Sequence, residues 1–482
     1  IKGLTVESNA RNGAVDTVAE GDASAAPPPA APDAFGVSTT YTQEKNVDEF
    51  DVVKYDGDHM YIAPARGFSG CCFGLPEVAA TSDIAVPPAS NRSIRVLSTD
   101  EENATATQVA EIELEETESV QGLYLDGDRL IALTTETFFG TFGALWADIA
   151  YWAEESVGVR VFDVSDPAAP AVAWEAVIDG GFVQSRRIGD TLYLINRFTP
   201  YIAGLDLNVA NPDARATNAG VLANVVLDDL LPKIRIGDTE EPLVAPERCF
   251  VTTDAADVVA DGYPMITTIT AISVSDPGNR ETICYNEPTF GVYMSENAVY
   301  LTQYRWRFED QKDSTRIHKF SLAGLQYRGS GDVPGLVWAG GNNDFRLSEH
   351  EGRLRVVASE FTFEEGDWID HTVHVLADSG AKRLTTIGQL PNAARPGEIG
   401  KPNEALYGVR FFGDRAYLVT FEQIDPLYVL DLSDPTDPFI AGELEVTGFS
   451  DFLHPVSDDL LLGLGQGLAL IHISEPTRLH CI

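Results

Sequence analysis

Apolar residues in this chain fall in short runs, each introduced by a turn of small and acidic residues and closed by another polar break. The turn carries Gly-Asp in four places: YDGDHMYIA (Tyr55 to Ala63), LDGDRLIAL (Leu125 to Leu133), IGDTLYLIN (Ile188 to Asn196) and FFGDRAYLVT (Phe411 to Thr420). Looser copies read MSENAVYLT from Met294 and EHEGRLRVVA from Glu349. In QSRRIGDTLYLIN the pattern predicts a strand, a tight turn and a returning strand with Leu192 and Leu194 on one face. Glycine supplies the turn's unusual backbone angles, and the aspartate beside it caps turn amides.

A second phrase follows three of these hairpins: VFDVSDP ending at Pro167, AISVSDP ending at Pro277 and VLDLSDP ending at Pro435. Proline cannot donate to a ladder, so a strand stops there, and AVAWEAVI or FIAGELEV resumes as another. The unit is about four strands, and units of this size stack on one another to bury what none can bury alone. Radial stacking leaves only short edges, so the predicted fold is all-β: a β-propeller of seven or eight four-stranded blades. The predicted units are Asp48 to Leu97, Val109 to Pro167, Ala171 to Pro277 (with a longer insertion), Glu281 to Leu322, Leu325 to Ala377 and Lys382 to Pro435. A seventh begins at Phe439.

Several of these stretches together carry a family likeness. NVDEFDVVKYDGDHMYIA, GVRVFDVSDP, QSRRIGDTLYLINR, STRIHKFSLAGLQYRGSGDVPG, EGRLRVVAS, GVRFFGDRAYLVTFEQIDPLYVLDLSDP and GELEVTGFSDFLHPV extend from Asn46 to Pro455. As a set they resemble a family of secreted bacterial and archaeal proteins carrying a β-propeller domain distantly related to WD-repeat propellers. The resemblance implies a propeller fold and an exported or surface-tethered location, and it implies no active site. The ending departs from it: LIHISEPTRLH, within the segment after Gly465, resembles a translated sequencing adapter. On that reading residues 466–482 are a non-native tail, His472, His480 and Cys481 are set aside, and closing blade strands are missing.

Composition narrows the partners. Of 482 residues 74 are acidic and 33 basic, a formal net charge of -41, which repels nucleic-acid phosphates and anionic lipid heads. The excess of carboxylate fits either a salt-adapted source or an ordinary acidic secreted protein. GDASAAPPPAAPD (Gly21 to Asp33) has linker composition, so residues 1–45 are expected to be a flexible tether and 46–465 the propeller. A linker placed first points to an export signal or membrane anchor before it, while no segment in the chain is apolar for long enough to span a bilayer. Of the five cysteines, Cys71 and Cys72 are adjacent and not expected to pair. Cys249 and Cys284 flank a strand pair and either bridge, outside the cytoplasm, or stay as two buried thiols.

Candidate chemistry is sparse. His371 and His374 lie on opposite faces of one strand and cannot easily share a ligand; a solvated histidine plus a core one is expected. His454, before Pro455, is a candidate for a channel mouth, without a second ligand at a telling spacing. Asp431, Asp434 and Asp437 in DLSDPTDP, and Asp163 with Asp166, are close enough for calcium, although serine and aspartate in such turns already satisfy turn amides. Asp425, near Gln423, is expected to be structural. Thr135 to Glu155, rich in Phe, Trp and Tyr, is a contact surface or is buried over a propeller face. No nucleophile elbow, P-loop or His-Glu-x-x-His occurs, so no catalytic or cofactor-binding residue is assigned. The expected function is an exported or cell-surface, monomeric scaffold binding a protein or glycan. The alternative is an extracellular hydrolase or lyase with buried polar groups converging at the central channel.

Overall fold

A computed structural model describes residues 42–64, 93–115, 118–136, 155–206, 213–251, 265–287, 289–307, 312–337, 343–364, 367–421, 425–446, 449–457, 460–466 and 479–481. Seven sheets, antiparallel except for one short strand in the third, follow one another along these residues. The first runs from Val53–Tyr55 to Thr105–Glu113 and the second from Glu118–Asp126 to Ala171–Asp179. The third begins at Gly181–Ile188 and reaches Arg280–Tyr285, and the fourth spans Gly291–Met294 to Gln326–Pro334. The fifth runs from Leu347–His350 to Leu384–Leu390 and the sixth from Ala405–Phe412 to Phe439–Val446. The seventh holds Phe449–Ser457, Leu460–Gln466 and Leu479–Cys481.

The four-strand unit is as expected, but its phase differs by one strand. Ala171–Asp179 pairs back onto Ser156–Asp163, and Phe439–Val446 onto Asp425–Asp431. The Ser-Asp-Pro turn therefore joins the third and fourth strands of one blade and does not end the blade. Phe439 closes the sixth sheet, and the seventh starts at Phe449. Leu479–Cys481, within the segment read as a tail, pairs with Leu462–Leu464.

The core is a series of interfaces between consecutive sheets. Leu130 and Ala132 pack toward the first sheet with Tyr61, Ile94 and Val96, while their neighbours Ile131 and Leu133 pack toward Leu192 and Leu194 of the third. The same division continues through the fourth, fifth, sixth and seventh sheets. Both faces of a blade are thus buried, and alternate residues of one strand serve different interfaces.

The first strand of each sheet lies at one edge, and a single segment ties several of these edges together. Gln43 Nε2 donates to Leu347 O (2.6 Å), Tyr293 OH donates to Glu44 (2.5 Å), Asp48 bridges Arg187 and Asp51 bridges Leu123. These partners belong to the fifth, fourth, third and second sheets. Nine residues of chain reach at most about 30 Å, so the edges must converge around the segment, as blades do about an axis.

Candidate functional site

The longest departure from the four-strand plan lies between Thr191–Phe198 and Ile266–Ser273, the second and third strands of the third blade. It carries a helix, Ala214–Leu222, and a hairpin of Lys233–Ile236 with Thr239–Pro242. That hairpin joins the outer edge of the second sheet, with Ile234 opposite Ile178 and Arg235 opposite Val177. The insertion then returns to its own blade, where Cys249–Phe250 runs parallel to Arg280–Tyr285. Cys249 and Cys284 are joined there in a disulfide with Cα atoms 4.4 Å apart, which decides between the two readings of these cysteines. The insertion is fastened to two neighbouring blades.

Beneath it lies a cavity of about 720 Å³. Glu155, Ser156 and Asp179 line it from the second blade, Phe198 from the third, and Tyr201, Asn224, Asp229, Leu231, Lys233 and Arg235 are among the insertion's contributions. Asp179 is committed: its Oδ2 accepts the Lys233 amide (2.9 Å) and its Oδ1 accepts Arg235 Nη1 (3.0 Å). Lys233 Nζ donates to Glu240 (2.8 Å), which holds the lysine above its ordinary range and the glutamate below its own. Glu155 differs, because burial raises its carboxyl and Arg197 only partly opposes that. At Gly180, which is held at φ +104° and donates to Glu155 O (2.7 Å), a Cβ would meet Arg197 O at 2.9 Å. Tyr201 is 69% exposed, and Leu222, Val226 and Leu227 of the same insertion are also more than half exposed. The site combines aromatic and apolar surface with polar groups of both signs.

The inner edges hold the other polar concentration. Lys54, Arg186 and Arg187 are buried there, and the segment before the first blade supplies acids to them. Lys54 Nζ donates to Asp48 (3.0 Å), Arg187 to Asp48 (3.3 Å) and Asp126 (2.8 Å), and Arg186 lies 3.6 Å from Glu49. Arg355 donates to Ser348 (2.8 Å) and Gly413 O (2.5 Å). Burial raises the Glu44 carboxyl, against its hydrogen bonds from Tyr293 and Ser348.

Residues 37–473 match the beta propeller domain family. The chain belongs to that family. This β-propeller is also 36% identical over 170 residues to an uncharacterized protein of Archaeoglobus fulgidus, covering 34% of the chain and 24% of the relative. An uncharacterized protein of Methanocaldococcus jannaschii is 34% identical over 182 residues, 36% of the chain and 26% of the relative. The match spans about a quarter of the length of each of these curated relatives.

The propeller places the sequence candidates apart. His371 and His374 do lie on opposite faces, but neither is solvated, because a middle strand of a blade is covered on both sides. His371 engages Ser359 Oγ (2.9 Å) and Glu404 O (2.8 Å), and His374 Nε2 meets Thr372 Oγ1 (3.0 Å). His454 is half-buried on the first strand of the seventh sheet, opposite Leu462. Asp163 accepts the Ser165 amide (2.9 Å) and Asp166 the Ala168 amide (3.1 Å). Asp431 and Asp434 accept amides at Ser433 and Thr436 (both 2.9 Å), and Asp437 takes a two-pronged bond from Arg395. Among the described residues no three His, Cys, Asp or Glu side chains gather as a metal site, and no helix is long and apolar enough to cross a membrane. The side chains of Asp425 and Gln423, most of the Thr135 to Glu155 segment, and Cys71 with Cys72 lie outside the described residues. The third blade's extra length is the mark that this cavity leaves in the sequence.

Proposed function

We propose that this β-propeller is an extracytoplasmic binding module that takes a short polar oligomer, an oligosaccharide in the first instance, in the cavity beneath the third-blade insertion. The observation that carries the reading is the lining of that cavity: an exposed tyrosine beside planar amide, carboxylate and guanidinium groups. A sugar ring offers an apolar face to an aromatic plane and hydroxyls to such groups. Charges of both signs, already paired along one wall, favour a neutral ligand over an ion. The extracytoplasmic location is supported by the Cys249–Cys284 disulfide, which persists in oxidising compartments.

A glycan array probed with the purified chain, followed by calorimetry on the hits, tests this. Tyr201→Ala is expected to weaken binding roughly two- to tenfold, from the loss of about 0.5–1.5 kcal/mol of aromatic contact, with no change in melting temperature. Binding indifferent to Tyr201→Ala and to Arg235→Ala would sink the cavity as the site. Turnover of the bound glycan would move the protein to the hydrolase or lyase class.

A further inference from the structure

Gln43–Asp51 belongs to no blade, yet it is seated as a peptide ligand seats on the edge of a sheet. Asp48 exchanges two backbone hydrogen bonds with Arg187 (2.8 and 2.9 Å), and Asp51 exchanges two with Leu123 (3.1 and 2.8 Å). Two inner edge strands are thereby extended by short antiparallel bridges, the geometry of strand addition. The segment's side chains supply apolar and acidic anchors. Phe50 occupies the space left by Gly122, where a Cβ would come within 2.3 Å of the ring, and meets Phe182 edge-on at 5.6 Å. Val47 is 2% exposed against the interface of the third and fourth blades. Glu44 and Asp48 bond Tyr293, Lys54 and Arg187. In a chain of net charge -41 the surface under this segment is a local concentration of buried cations.

We propose that the inner edges of the second to fifth blades form a receptor groove for an acidic extended peptide, filled in cis by Gln43–Asp51 and in trans by a partner strand of the same chemistry. The ligand class follows from the anchors: an extended stretch with carboxylates at the positions of Glu44 and Asp48 and apolar side chains at those of Val47 and Phe50. A tethered occupant acts at an effective concentration in the millimolar range, so a free peptide competes only once the cis anchors are weakened.

The test uses the full chain, wild type and Asp48→Ala/Phe50→Ala, with a fluorescent peptide of residues 42–52 and its Asp48→Lys counterpart, read by anisotropy. The double variant is expected to bind the natural peptide at least tenfold more tightly than wild type does, to regain melting temperature on binding, and to ignore the Asp48→Lys peptide. A folded variant that binds the natural peptide no better than wild type does overturns the proposal. If the variant does not fold, hydrogen exchange on the wild type decides. Amides of Asp48 and Asp51 exchanging at least tenfold faster than those of Leu194 and Ile195 support an exchangeable occupant. Equal rates make the segment an integral strand and overturn the groove.

Discussion

At the scale of single residues, the two phrases that repeat in the sequence are one device in space. The backbone carbonyl of the Gly-Asp aspartate accepts a hydrogen bond from the chain at the end of the third strand or just beyond it: Asp58 from Thr99, Asp128 from Val164, Asp190 from Val274 and Asp414 from Leu432, all at 2.7–2.8 Å. Asn297 does the same for Leu322 in the fourth blade (2.9 Å). Asp190 adds its side chain, accepting from Ser273 Oγ (2.7 Å), Ser275 Oγ (2.6 Å) and the Ser275 amide (2.8 Å). Burial pushes the Asp190 carboxyl up, but these bonds outweigh it and hold the group below its usual range. Its contribution is therefore present above the unfolded carboxylate pKa and fades as pH falls below it. Asp190→Ala is expected to cost about 1 kcal/mol in urea unfolding at pH 7, with the difference from wild type shrinking toward pH 3. A constant difference would show that the carboxylate is not the active form. His374 acts in the same direction with pH but for a different reason: burial lowers its pKa to about 4, so it is neutral when folded and binds a proton on unfolding near pH 6. Stability it does not limit above pH 6.5 is lost as pH falls toward 4, by up to about 3 kcal/mol. Folded His374→Gln should lose less stability than wild type over that window, measured by denaturant titration at each pH. The turns were legible because glycine and aspartate act locally, with Gly189 at φ +54° and nothing within 4 Å of a would-be Cβ. The bond from one turn to the other was not, since a backbone carbonyl leaves no mark in the sequence.

Elements explain where the reading slipped. RLIAL in the second blade is continuous rather than alternating, because Leu130 and Ile131 serve different interfaces. The same double burial leaves no solvated face for His371 or His374. Strand phase was ambiguous because Ser-Asp-Pro stops a strand equally well inside a blade or at its end. The cavity's lining was illegible for another reason: Glu155, Asp179, Phe198 and Lys233 are ordinary residues that only the insertion's return path brings together. That path is fixed by the hairpin on one side and the disulfide on the other, across a sequence separation of 35. Chain-entropy reasoning assigns such a crosslink about 4 kcal/mol. Reduction is expected to lower the melting temperature and to open the insertion to protease before the blades, as peptide mapping would show. Cleavage spread evenly over the chain would mean that the disulfide supports the whole propeller instead.

For the whole molecule, the balance is between stacked interfaces and charge. Each described interface joins consecutive sheets, so stability is expected to behave as a sum of blade and nearest-neighbour contributions. Against it stands a net charge of -41, whose self-repulsion is weakened by salt. Melting temperature should rise between 0.05 and 1 M NaCl, concentrations chosen to shorten the Debye length from roughly 14 to 3 Å. A fall would mean that the ion pairs around Lys54 and Arg187 outweigh surface repulsion.

The insertion has a consequence for how such a scaffold changes over time. Phe198 and Ile266 lie directly opposite each other on paired strands, so the insertion starts and ends at one point of that ladder, with the Cys249–Cys284 disulfide as its second tie to the blade. A segment with adjacent ends is an interchangeable cassette. Its length and contents can change while the ladder of Leu192 to Phe198 with Ile266 to Ile272 keeps its register; on the binding role proposed for it, ligand preference would then diverge without a change to the blades.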